Sequence, residues 1–497
     1  MGVVKKQGIA NSIWIYAGLI LGYVNVGWIM AKILSTENFG LRSVLFQAGS
    51  FFSVVALVGM ANVINRFFPS MREQKGHHGG IVAFIFSYWV VGILISAIVL
   101  HFTQTWVLAF YTEKSALIEE FYYFIIPFGA SLALFEGLAA YCRALLKTTF
   151  PIFIRELAIR VYNLILLGLL YFNFIEFPEF LYLYLSGYIL GAVALIIYLI
   201  KIGEFKIEWS HAFAWVPRLK EMIRFGFYTW FNNSMRMIVK TADVLMLGAM
   251  DLRYAGIYGL GSLIGNIVQV PSQSLRQIAA PLISRHFDDN NIKEIGVLYS
   301  KTCMVQLIAG LFLYLGIVLN LESLFTIWRS EFADAKIVII LLGGARLVAG
   351  STGMNGRIIV ESRYFRMNFV FNLIMGVMVI GTNAWLIPKY QIFGAALASA
   401  ITITTISAMK VLFVYSKFGL QPFNGKTLVA LGVGAVAFLI PYFIPHSGMM
   451  VLDVAIKSLL FAALYIFMMM QLRLSQEING MVLNGIKKVK VLLRMEG

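Results

Sequence analysis

The chain has 497 residues, of which 60% are hydrophobic and only 13% charged, with a formal net charge of +16 and a mean hydropathy of +0.81. Soluble domains carry about 25% charged residues, so this composition excludes a water-soluble globular protein and makes lipid the solvent for much of the surface. Cys142, Cys303 and six scattered histidines supply neither a disulfide framework nor the ligand spacing of a metal centre.

Apolar runs of spanning length follow one another with short polar gaps from just beyond Lys5 and Lys6. They predict an all-α, polytopic membrane protein of about fourteen transmembrane helices. The runs lie at 12–34, 42–66, 80–103, 117–143, 150–173, 179–201, 222–249, 254–281, 296–319, 334–358, 366–387, 392–416, 427–445 and 450–472. No small-residue cleavage site follows the first run, which is therefore expected to stay in the mature protein. His77 and His78 fall in a loop; two imidazoles alone do not make a metal site. The stretch 203–221 sets Phe205, Trp209, Phe213 and Trp215 among charges and reads as an amphipathic linker on the cytoplasmic interface. Residues 474–497, with Lys487, Lys488, Lys490 and Arg494, read as a basic cytoplasmic tail.

A repeat accompanies this pattern. A shift of 216 residues lays Trp14 on Trp230 and Phe39-Gly40 on Ala255-Gly256. Val161-Tyr162-Asn163-Leu164-Ile165 likewise resembles Val370-Phe371-Asn372-Leu373-Ile374. The expected organisation is an N-lobe of six helices over 1–202, the linker 203–221, a C-lobe of six helices over 222–418, a helix pair in 419–473 and the tail. Six helices per lobe is an even number, so the repeats run parallel about an axis along the membrane normal.

Charge distribution sets the orientation. With a cytoplasmic N-terminus, cytoplasmic loops hold roughly 26 Lys and Arg and external loops roughly 8, which satisfies the positive-inside rule. Both termini are then cytoplasmic. The net positive charge is topology signal and headgroup contact, and needs no nucleic-acid partner.

Ionisable residues inside apolar helices are costly and face a cavity or a partner. Asn232, Arg236, Lys240 and Asp243 recur at spacings of four, four and three, which places them on one helical stripe. They read as a cationic cavity wall with Asp243 as a pairing or protonatable group, or as an internal ladder in which Asp243 pairs with a cation. Ser262, Asn266, Gln269, Gln273 and Arg276 form a second stripe around Pro271, a kink and hinge candidate. Arg346 has no acidic neighbour in sequence. Glu156 and Arg160 lie four apart and are expected to pair, and the first lobe is otherwise less charged. No phosphate loop, zincin or nucleophile-elbow motif is present, and no cofactor is expected.

The run Ile33-Leu34-Ser35-Thr36-Glu37-Asn38-Phe39-Gly40, the later Leu57-Val58-Gly59-Met60-Ala61, Ala255-Gly256-Ile257-Tyr258 beyond Asp243, and Phe393-Gly394-Ala395-Ala396-Leu397-Ala398 resemble prokaryotic polysaccharide (O-antigen type) flippases. That family belongs to the multidrug/oligosaccharidyl-lipid/polysaccharide exporter (MOP) superfamily, and the resemblance spans the chain. It implies a monomeric transporter of the bacterial inner membrane in polysaccharide and lipopolysaccharide biosynthesis. The implied substrate is a polyprenyl-diphosphate-linked glycan, moved by alternating access with H+ or Na+ as coupling ion. Arg236, Lys240 and Arg276 match the family's cationic cavity by type and helix; the last helix pair is then expected to flank the polyprenyl tail. The alternatives are a cation-coupled multidrug exporter of the same superfamily and a membrane polysaccharide polymerase or ligase. The latter needs a sizeable external catalytic loop, which the short gaps do not provide.

Overall fold

The structure is a computed structural model and describes residues 2–75, 80–111, 115–207, 216–445 and 449–480. No strand occurs among them. Helix α1, Gly2–Gly22, continues through a wide π-helical stretch, Tyr23–Met30, to Ile33. Then come α2 (Thr36–Leu57), α3 (Met60–Lys75), α4 (Ile81–Leu108) and α5 (Ile125–Ala144). A second π stretch, Ile154–Ala158, leads into α6 (Ile159–Tyr171), followed by α7 (Phe177–Lys201), α8 (Val216–Met250) and α9 (Leu252–Gly265). The rest is α10 (Val270–Asp288), α11 (Ile292–Leu319), α12 (Ala335–Ser351), α13 (Asn355–Glu361), α14 (Arg366–Phe418), α15 (Gly425–Tyr442) and α16 (Met450–Gln471).

This is a multi-pass membrane protein. Among the described residues nine helices are long and apolar enough to cross a membrane, or ten if α12 and α13, bent by 49°, form one span. The sequence expectation was about fourteen. Part of the difference is α14, counted once although Gln391 (φ 50, ψ −124) divides it. Its two arms run back along each other: a Cβ on Gly394 would collide with the Leu386 carbonyl, and Thr382 Oγ1 lies 3.5 Å from Thr402 Oγ1. The predicted runs 366–387 and 392–416 fall on these arms. Large apolar side chains such as Phe102 (81% exposed) and Val451 (80%) point outward, as a lipid-facing surface requires.

Three expectations need correcting locally. The predicted run 42–66 is two helices, because Val58 and Gly59 take left-handed conformations (φ 40 and φ 76) and the Val58 carbonyl accepts Tyr88 Oη at 3.1 Å. The helix expected at 222 begins at Val216, so the end of the 203–221 linker is helical. Residues 204–207 are irregular, and 208–215 lie outside the described residues. His77-His78 and 481–497 also lie outside them, and 476–480 are helical.

The chain divides into two compact units, Met1–Leu260 and Gly261–Gly497. This divide does not coincide with the 203–221 linker, since α8 packs with the first unit. The reason is close backbone approach. A Cβ on Gly59 would collide with the Gly226 carbonyl, and one on Gly248 with Val44. A Cβ on Gly40 would meet the Leu252 carbonyl, and one on Gly256 the Thr36 carbonyl. Gly40 and Gly256 are 216 residues apart, as are Thr36 and Leu252, so these two contacts of α2 with α9 are reciprocal. The first unit's core gathers Phe68, Phe135, Leu138, Tyr141 and Leu195. In the second unit α15 and α16 seat Ala430, Val433, Phe461 and Tyr465 against Leu307 and Leu311 of α11.

Candidate functional site

The α8 stripe divides into two environments. Asp243 is buried (6% exposed) and accepts a hydrogen bond from Tyr258 Oη of α9. Arg236 and Lys240 are exposed. Arg236 Nη2 donates to Asn233 Oδ1 one turn away, and Lys240 forms no ion pair or hydrogen bond among the described residues. Neither cation pairs with Asp243, so the internal ladder is not formed. Asn232 is partly buried on the same stripe.

The second unit holds a denser group. The chain passes from α9 to α10 through one turn of 3-10 helix, Asn266–Gln269, with Pro271 in the first turn of α10. Arg346 of α12 donates its Nε–H to Asn266 Oδ1 at 2.9 Å. Arg276 of α10 donates its Nε–H to the Ser272 carbonyl at 3.1 Å. Arg276 lies in the electrostatic field of both Arg357 and Arg346, and Lys410 in that of Arg276. Arg357 reaches Glu361 at 3.9 Å, and Lys410 lies 5.9 Å from the Phe371 ring centroid. Arg276 and Lys410 form no ion pair among the described residues. Gln269 is half-buried in the turn; the Gln273 side chain lies outside the described residues.

Four helical elements thus bring Arg276, Arg346, Arg357 and Lys410 together. Sequence reasoning singled out the first two. Lys410 carried a signal, a lone cation inside the apolar run 392–416, of the kind that marks a pathway or a buried partner. Arg357 sits at the end of its run and reads from sequence as a topology charge.

Among the described residues, two ion pairs form inside the helices that precede α8. Arg160 pairs with Glu156 at 2.7 Å, as their spacing predicts. Its other terminal nitrogen donates to the Gly18 carbonyl of α1, and Asn25 Nδ2 donates to the Arg160 carbonyl at 2.7 Å. Arg155 pairs with Glu136 at 2.5 Å. Arg42, which sequence reading passed over, donates to Tyr184 Oη at 2.5 Å and stacks over Phe46 and Tyr184. No cluster of three or more metal-ligating side chains occurs among the described residues.

No family model matches the chain, and no curated protein does. Solved structures do. The lipid II flippase MurJ in an inward closed conformation superposes with a TM-score of 0.72 at 15% identity, over 94% of this chain and 99% of that one. An inward-facing multidrug resistance MATE family transporter of the MOP superfamily gives 0.50 at 12% identity, over 83% and 94%. A MATE structure in complex with MaL6 gives 0.50 at 12% identity, over 84% and 96%. The chain therefore has the fold of MOP-superfamily transporters.

Proposed function

We propose that the protein flips a lipid-linked oligosaccharide, a polysaccharide precursor, across the bacterial inner membrane by alternating access. The observation that carries this reading is the surplus of cations over nearby acids. In the second unit Arg276, Arg346, Arg357 and Lys410 stand together, with Glu361 as the acid that Arg357 reaches. In the first, Arg236 and Lys240 are exposed and form no ion pair among the described residues. Guanidinium and ammonium groups bind phosphate oxygens through charge-assisted hydrogen bonds, so a diphosphate is the chemistry that offsets such a surplus. A cationic drug would be repelled by it, which disfavours multidrug export. The likeness to a lipid II flippase along nearly the whole chain supports the same class of cargo.

In this reading Arg236, Lys240 and Arg276, joined by Arg346, Arg357 and Lys410, hold the diphosphate. Asn232, Asn266, Gln269 and Gln273 contact sugar hydroxyls, and the polyprenyl tail stays in the bilayer beside α15 and α16. Asp243, held by Tyr258, is the protonatable group through which an H+ or Na+ gradient would act. The lobes are residues 1–202 and 222–418, the termini are cytoplasmic, and the chain works as a monomeric transporter without enzymatic chemistry. The test is genetic. In a strain lacking the gene, Arg236→Ala with Lys240→Ala should fail to restore surface polysaccharide while the protein stays at wild-type level in the membrane. Full restoration defeats the cationic reading.

A further inference from the structure

A separate cleft opens where α11, α15 and α16 approach the same face of the second unit. Its volume is about 710 Å³, and Lys301, Lys426, Arg473 and Glu477 line it with Asn424 and Ser475. Three cations face one carboxylate. Glu477 is already engaged, at 3.6 Å from Lys301 and accepting from Ser475 Oγ at 2.9 Å. Burial pushes its carboxyl up, but its backbone, Ser475 and Lys301 outweigh this and hold it below the ordinary range. Lys426 and Arg473 form no ion pair among the described residues and are left to a ligand.

The depth of the cleft says what that ligand is. Helix α15 begins at Gly425 and α16 ends at Gln471. Their lengths, about 27 and 33 Å at 1.5 Å per residue, match the hydrocarbon thickness. The cleft therefore lies where acyl chains give way to headgroups. Leu428 (73% exposed) and Leu472 (49%) point outward beside the two free cations, where acyl chains run.

We propose that this cleft binds the phosphate headgroup of an anionic phospholipid, with Lys426 and Arg473 on the phosphate and the acyl chains against Leu428 and Leu472. Cationic pockets between helices at the cytoplasmic surface bind anionic headgroups in this way. Arg473 makes the test clean. It occupies the left-handed position (φ 46) after α16, where glycine is the usual residue. Arg473→Gly hence removes the charge while relaxing the turn.

The experiment measures retention of phosphatidylglycerol and of phosphatidylcholine by the purified full-length protein, by native mass spectrometry over a lipid titration. The wild type should prefer phosphatidylglycerol at least ten-fold. Each lost cation should cost about five-fold in affinity, so Lys426→Gln with Arg473→Gly should lower it about 25-fold at a melting temperature no lower than that of the wild type. Glu477→Gln should raise it about five-fold. Equal affinity for the two lipids overturns the proposal, as does a folded double variant that keeps the preference. Millimolar inorganic phosphate should not displace the lipid; displacement would make this a free-anion site and overturn the lipid assignment.

Discussion

The reciprocal crossing of α2 and α9 gives the sharpest prediction. In Gly256→Ala the new Cβ would overlap the Thr36 carbonyl oxygen and lie 3.1 Å from the carbonyl carbon and 3.0 Å from Gly40 N. All three neighbours are backbone, so no side chain can rotate away and the helices must separate. Overpacking of this kind costs about 1–3 kcal/mol, and a collision with main chain belongs at the upper end. Alanine returns about 1 kcal/mol through helix propensity, which leaves a net loss of about 2 kcal/mol. Gly40→Ala meets the Leu252 carbonyl and lies 3.1 Å from Gly256 N, so it should cost the same. Either change opens the same contact, so the double variant should lose distinctly less than the sum. Gly168→Ala, with nothing within 4 Å, should stabilise α6 by about 1 kcal/mol through propensity alone. The assay is thermal unfolding of the purified protein followed by tryptophan fluorescence. A neutral Gly256→Ala, or strict additivity in the double variant, refutes the reasoning.

Other outcomes follow from the same contacts. Tyr258→Phe removes a donor from buried Asp243 and should destabilise by about 1–3 kcal/mol, read in the same melting experiment. Arg160→Leu leaves Glu156 without its partner and should cost about 3 kcal/mol or more; adding Glu156→Leu should recover most of it. The lowered carboxyl of Glu477 contributes stability above its unfolded value, near 4.5, and loses it as pH falls through the folded value. The melting difference between wild type and Glu477→Gln should accordingly be present at pH 6 and vanish in strong acid.

Much of the helical layout was legible because apolar runs in lipid leave the backbone no other way to satisfy its polar groups. The reversal at Gln391 and the turn before Pro271 showed as gaps or breakers in sequence, and Glu156–Arg160 is a local contact fixed by helix spacing. The break at Val58-Gly59 did not show, since apolar residues flank it and its cause is distant: Gly226 against Gly59 and Tyr88 on the Val58 carbonyl. The α8 stripe was legible as a stripe, but its division was not. Asp243 turns to Tyr258 on the next helix, which periodicity on α8 alone cannot reveal. Arg357 and Lys410 join Arg276 through the packing of separate helices, so sequence reading could mark the charges but not their company.

The most direct test of the central claim uses proteoliposomes that carry a fluorescent polyprenyl-diphosphate oligosaccharide on one leaflet, with its transfer to the other followed by quenching. Wild-type protein should move it. Arg276→Gln with Lys410→Gln should slow it more than ten-fold at unchanged melting temperature, the loss of at least about 1.4 kcal/mol of phosphate binding. Unaltered transfer by that variant, or a wild type that exports a cationic dye and leaves the lipid-linked sugar in place, would contradict the account.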